Sequence, residues 1–395
     1  MASFDAAPYP TVAPVAVEIS TGVRATTTCA VPAGRTLRLV RLAGTMAAYG
    51  YEGELTPWST RDEERGDPIG VPQAIASCDL TTGAVRVLHG PTGSPREFSA
   101  SIVDLDRGRL LLRAGSRESV VTWLLDLATG SLTTIDAFVE RGVAPRAIDG
   151  NFVIGSWTID DSFSQDSLPA VYSLETGDFR IVTPTDLGVG GTWIEPVDVA
   201  NGILVGTIDN ANTSLLGEAW AFILDTGEAI HLPRALTTDR PYIGAFDGSM
   251  IVGSALRKPR DRHAQPFMWR LGQPDVTWLS LPPGQIRGRA VALQGHLIIG
   301  DAEAVSSGEG WSDKRRAVVW ESATGALLDL GVGPLELSGT RATDSGGTPQ
   351  SSASAIDGNL VLGFLGDACG PCGAPSFGGT PVVWDISEWV ASLRT

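Results

Sequence analysis

Histidine, cysteine and methionine are scarce, with four of each among 395 residues. The imidazoles His89, His231, His263 and His296 lie far apart in the chain, which disfavours a multi-histidine metal site. Positive charge is also short. There are 29 Lys and Arg against 45 Asp and Glu, a net charge of −16. Such a surface repels phosphate backbones and anionic lipid, so neither nucleic acid nor a membrane surface is an expected partner. No run approaches the 18 apolar residues of a membrane-spanning helix. The N-terminus lacks the basic and apolar regions of a secretory signal. The chain is therefore read as the mature form of an extracellular or periplasmic protein, with the cytoplasm as the alternative.

The four cysteines, Cys29, Cys78, Cys369 and Cys372, allow three pairings. Cys369-Gly-Pro-Cys372 has the letters of a thiol redox motif, but it lies in a Gly- and Pro-rich stretch that cannot open a helix. A local Cys369–Cys372 disulfide is expected, with metal ligation and redox chemistry as alternatives.

Glycine, by contrast, is abundant at 47 residues, and it is periodic. One unit recurs: an apolar strand, a Gly turn, a second apolar strand, a variable loop, a third strand with an aromatic, then Thr-Gly and a fourth strand. Gly44, Gly108, Gly150, Gly202, Gly248, Gly295 and Gly358 mark the first turn. Gly83, Gly130, Gly177, Gly227, Pro274, Gly325 and Trp389 mark the second, at spacings of 47, 47, 50, 47, 51 and 64. Five residues before each stand Cys78, Leu125, Tyr172, Phe222, Trp269, Trp320 and Trp384, so five of the seven copies hold an aromatic in one register. Asp149-Gly150 and Asp357-Gly358 suggest I′ hairpins with positive φ at both residues. Strands apolar on both faces suit units packed between two neighbours, which makes the aromatic register core.

These repeats predict an all-β fold: a single seven-bladed β-propeller over residues 1–395, built of four-stranded antiparallel blades. The blades are expected near 36–90, 98–136, 144–183, 193–233, 240–282, 286–331 and 351–395. The first copy is weak, so six blades plus an irregular cap is the alternative. Residues 1–35 hold strand-like segments outside the repeat, expected to close the ring by completing the last blade. The stretch from Asp385 to Leu393 reads as strand or short helix, which leaves room for that closure.

The segments Ala147-Ile-Asp-Gly-Asn-Phe-Val-Ile-Gly155, Gly244-Ala-Phe-Asp-Gly-Ser-Met-Ile-Val-Gly253 and Ala317-Val-Val-Trp320 resemble HAF-type extracellular repeats. The resemblance covers roughly residues 144–386 and implies a secreted bacterial propeller without assigned chemistry. Trp123-Leu-Leu-Asp-Leu-Ala-Thr-Gly130 also resembles quinoprotein-type repeats, but the Trp that usually follows the Thr-Gly in those repeats is absent here.

In a four-stranded blade the first and third connections emerge on one face, the second and fourth on the other. Here the first and third are tight turns, while the second are long, so sequence variety gathers on one face. Candidate ligand-binding residues there are Trp58, Trp157, Trp193, Arg257, Arg260, His263, Trp311 and Asp313. Aromatics beside carboxylates and amides suit sugars; solvated loop charges with a few packed Trp are the plain alternative. The expected function is a binding scaffold for a glycan or protein partner, acting as a monomer and without a cofactor, although oxygen-rich loops allow Ca²⁺. The alternative is a polysaccharide hydrolase or lyase drawing on Asp160, Asp161, Asp209, His263 and Asp367.

Overall fold

In the computed structural model each repeat unit folds as an up-and-down antiparallel meander. The structure describes residues 15–18, 24–27, 37–43, 46–52, 73–79, 85–89, 101–115, 120–158, 167–188, 193–209, 218–230, 232–233, 236, 241–258, 261–304, 314–331, 349–367 and 380–394. Strands β1 (Val15–Glu18) and β2 (Arg24–Thr27) precede the repeats. The first unit comprises β3 (Leu37–Ala43), β4 (Met46–Glu52), β5 (Gln73–Asp79) and β6 (Val85–His89). The second holds β7 (Ser101–Asp106), β8 (Arg109–Gly115), β9 (Val120–Asp126) and β10 (Leu132–Thr134). After helix α1 (Asp136–Arg141), the third unit has β11 (Val143–Asp149), β12 (Phe152–Thr158), β13 (Ser167–Ser173) and β14 (Phe179–Ile181). After α2 (Pro184–Leu187), the fourth has β15 (Trp193–Ala200), β16 (Ile203–Asp209), β17 (Glu218–Ile223) and β18 (Glu228–Ile230). The fifth contains β19 (Tyr242–Phe246), β20 (Met250–Ala255), β21 (Gln265–Arg270) and β22 (Thr277–Trp278). The sixth contains β23 (Arg287–Gln294), β24 (Leu297–Ala304), β25 (Lys314–Glu321) and β26 (Leu327–Gly331). The last has β27 (Pro349–Asp357), β28 (Leu360–Asp367) and β29 (Thr380–Asp385), followed by α3 (Ser387–Ser392).

Hydrogen bonding groups these strands into six sheets, the count of the alternative expectation and not that of seven separate blades. The reason is local. A single parallel pair, Ser167↔Trp193 between β13 and β15, merges the third and fourth repeat units into one eight-stranded sheet. The weak first copy is not an irregular cap; it forms a regular four-stranded sheet, β3 to β6. The first strands of the repeats stand side by side in chain order, from β3 against β7 round to β27 against β3, so the ring closes on itself.

Closure comes from the N-terminal segment. β2 pairs antiparallel with β29 (Ala25↔Trp384), supplying the strand that the last unit lacks, because its own C-terminal stretch coils into α3. The free edge of β29 is thereby covered.

The core lies between neighbouring units. Trp269, Trp320, Trp384 and Phe222 are at most 1 % exposed and fill successive interfaces, so the aromatic register is packing. The two-residue first turns divide into two kinds. Arg107-Gly108 and Asn201-Gly202 have positive φ at both residues, the I′ pattern. In the Asp-Gly turns expected to be I′, Asp149 and Asp357 instead end their strands, opposite Phe152 and Leu360, and only the Gly has positive φ. The second turns hold Gly130, Gly177, Gly227 and Gly325 at positive φ as expected; in the fifth unit Gly272, not Pro274, takes this role.

Every first strand carries one register shift against its second strand; it sits at an equivalent place in β7 to β27 and two residues further from the turn in β3. The bulged residues are Arg38, Val103, Arg146, Val197, Gly244, Val291 and Ser354. A bulge bends its strand and sharpens the local twist. It also explains the Gly that ends the second apolar run. Gly155, Gly206, Gly253, Gly300 and Gly363 lie opposite the residue before the bulge. A Cβ on Gly253, Gly300 or Gly363 would stand about 2 Å from a first-strand carbonyl oxygen, so only Gly admits the close approach.

Candidate ligand site in the central channel

The bulged first strands surround a cavity of about 700 Å³, lined by six of them from β7 to β27. That volume suits a small ligand or one end of a larger one. Its wall is polar because the inner edge strands turn alternate backbone N–H groups into the channel, where they need acceptors. Asp104, the residue after the bulge in β7, accepts the Ile148 N–H at 3.0 Å. Asp198, at the same place in β15, accepts the Phe246 N–H at 2.9 Å. Each carboxylate reaches to the next unit and ties it in. At the tight-turn rim Asp106 accepts from Gly150 N and Asp149 from Asn201 N, both at 2.9 Å. Gln294 accepts from Gly358 N in the same way. The Asp of the Ala-Ile-Asp motif thus staples one unit to the next.

Asp198 is electrostatically strained. Burial in the wall, with like charge from Asp104 and Asp149, pushes its carboxyl up to about 8, although the N–H groups of Phe246 and Val199 favour the anion. It is therefore largely protonated at neutral pH.

The loop-side half of the channel carries guanidinium groups. Arg146, the bulged residue of β11, donates Nε to Ser156 Oγ at 3.1 Å and pairs its Nη2 with Glu195. Arg289 donates Nε and Nη2 to Asp301 Oδ2 at 3.4 and 3.2 Å. Neither Nη1 has a partner among the described residues. Burial opposes the Arg289 cation, but Asp301, with Tyr242 and Glu303, more than offsets it and holds the group above its ordinary value. The Arg289 Cζ lies 6.0 Å from the ring centroid of Tyr242, which is 45 % exposed. An open aromatic ring, two half-used guanidinium forks and a neutral carboxyl therefore share one cavity. Such groups hold hydroxyl, carbonyl or carboxylate oxygens beside an apolar face.

The residues expected from sequence fall differently. Trp58, Asp160, Asp161, Arg260, Trp311, Asp313, Cys369 and Cys372 lie outside the described residues. Trp193 and Asp209 are brought directly opposite each other at the loop-side ends of β15 and β16, and Asp367 stands opposite Pro349 at the same end of the last unit. Trp157 is half-buried in β12 and packs against the cores on both sides of the third unit. Arg257 stands exposed on the connection between β20 and β21, its Cζ 5.3 Å from the Trp278 ring centroid. His263, on the same connection, has a buried Nδ1 without a hydrogen-bond partner. Arg146, Asp198, Tyr242 and Arg289 were not anticipated. For Arg146, Tyr242 and Arg289 the signal was a polar residue just before or within an otherwise apolar first strand, as in Arg146-Ala-Ile-Asp and Tyr242-Ile-Gly-Ala-Phe.

No family model and no curated protein matches the chain. Solved structures match its fold. The β-propeller domain of the Trilobed protease from Pyrococcus furiosus is 11 % identical, with a TM-score of 0.57 over 89 % of this chain and 93 % of that one. An oligogalacturonate lyase from Vibrio parahaemolyticus is 12 % identical, with a TM-score of 0.55 over 96 % and 98 %. The acylaminoacyl peptidase of Pyrococcus horikoshii is 12 % identical, with a TM-score of 0.58 over 89 % of this chain and 51 % of its own, so this chain spans about half of it. The structural neighbours thus include propellers of peptidases and of a lyase, and what this chain shares with them is the β-propeller.

Proposed function

We propose that the chain is an exported binding propeller that recognises a glycan at the loop-side mouth of its central channel. The observation that carries this reading is the exposed Tyr242 ring beside the half-used guanidinium of Arg289, inside a cavity whose rigid wall is stapled unit to unit. A sugar ring stacks its apolar face on an aromatic while its oxygens take Arg and Asp hydrogen bonds. The connection residues Arg257 and His263 would extend the same mouth.

A second reading, polysaccharide hydrolysis or elimination, is favoured by one feature. A carboxyl held protonated near neutrality, as in Asp198, is what a general acid requires. Incubating the protein with a panel of polysaccharides separates the two. Binding that Tyr242→Ala weakens about tenfold or more, without new reducing ends or unsaturated uronate, supports the scaffold. Product accumulation supports the enzyme. Unchanged binding by Tyr242→Ala rejects the channel mouth as the site.

A further inference from the structure

Positive charge in this acidic chain is concentrated at the loop-side ends of the fifth and sixth units. Arg257, Lys258 and Arg262 stand exposed on the connection between β20 and β21, and the part-buried Arg287, Arg289 and Arg315 lie on β23 and β25. The two groups form one seam. Gly288 N donates to Ala264 O at 3.1 Å and Gln265 Nε2 to Ile286 O at 2.7 Å, tying the end of the connection to the start of β23.

Among the described residues three acids answer these six cations, and all three are already committed. Asp301, 1 % exposed, takes Arg289. Glu303 is shared: Arg315 Nε lies 2.8 Å from one oxygen and Arg287 Nε 2.7 Å from the other, the latter off the N–H axis. Asp261 accepts the backbone N–H of Lys258 at 3.0 Å. One carboxylate between two guanidiniums leaves positive charge uncompensated. On the same seam the buried His263 Nδ1 also lacks a partner among the described residues. Unspent guanidinium N–H groups beside surplus positive charge call for an anion with several oxygens.

We propose that this seam binds the carboxylates of an acidic polysaccharide, a polyuronate or its fragments. The proposal rests on the glycan reading of the channel and specifies the charge of that glycan. A polyuronate fits better than an acidic peptide because an open ring face flanks a cation: Tyr242, 45 % exposed, lies beside Arg289, so a carboxylate can be paired there while its sugar ring stacks. Arg289 also lines the channel, which makes the seam continuous with the cavity.

The test titrates polygalacturonate, dextran and poly-glutamate against the full chain by calorimetry at low and high salt. Lys258→Glu with Arg262→Glu serves as the variant, because both side chains are exposed and circular dichroism can verify its fold. The expected result is polygalacturonate binding that falls about tenfold or more in the variant and weakens with salt. Dextran bound as tightly as polygalacturonate, with no loss in the variant, overturns the acidic ligand and leaves the glycan reading standing. Poly-glutamate bound equally well assigns the seam to an acidic protein and overturns the proposal. No binding of either carbohydrate overturns both.

Discussion

Asp198 shows how one residue can serve the wall and the solvent at once. Its carboxyl caps an inward-facing N–H of the next unit, yet it does so among other carboxylates, and its group is raised from 3.8 to about 8. A raised carboxyl means that the folded state holds the proton more tightly than the unfolded chain. Its stabilising contribution is therefore complete below about pH 4 and is lost as pH rises towards 8. Asp198→Asn keeps an oxygen for the Phe246 N–H and removes the titration. Thermal melts from pH 5 to 8 are expected to show a falling midpoint in the parent chain and a flatter one in the variant. Equal slopes would reject the shift. Nothing in the sequence distinguished Asp198 from the other 44 acidic residues, because its character depends on Asp104 and Asp149, which lie about 50 to 95 positions away in the chain. By contrast, the aromatic register was legible, since size and apolarity alone determine that those side chains are buried.

At the scale of the element, the recurrent Gly of the second strand was visible as a pattern, but its reason was not. The reason is the bulge opposite, which thrusts a carbonyl to where a Cβ would stand, and the place of a single unpaired residue cannot be read from hydrophobic alternation. Gly300→Ala places a Cβ 2.0 Å from Arg289 O. The backbone must shift, at a cost of about 2–3 kcal/mol, which denaturant unfolding would measure. Gly295→Ala, whose Cβ would meet open space, is expected to cost only the strain of its positive φ, about 1 kcal/mol. Equal costs would contradict the close-approach account. The helices were less legible: α1 was not anticipated, because its single apolar anchor, Phe138, does not make a period. The segment from Asp385 to Leu393 was left open between strand and helix, and β2 taking the outer place beside β29 explains why helix prevails there.

At the scale of the whole molecule, repeat spacing predicted the ring, the four-strand unit and the closure by the N-terminal segment, because each follows from burying two apolar faces and one free edge. It did not predict the merger of two units into one sheet, which depends on a single backbone pair. Nor did it locate the site. Loop composition drew attention to the outer mouth, whereas the described groups that can hold a ligand project inward from bulged strands, with acids stapling one rim and guanidiniums opening towards the other. The account stands or falls on whether a ligand enters there. A crystal structure determined with a saturating uronate oligosaccharide is expected to show a sugar ring against Tyr242 and a carboxylate within hydrogen-bond reach of Arg289. Density confined to the tight-turn rim or the outer edge, with the channel empty, would contradict it.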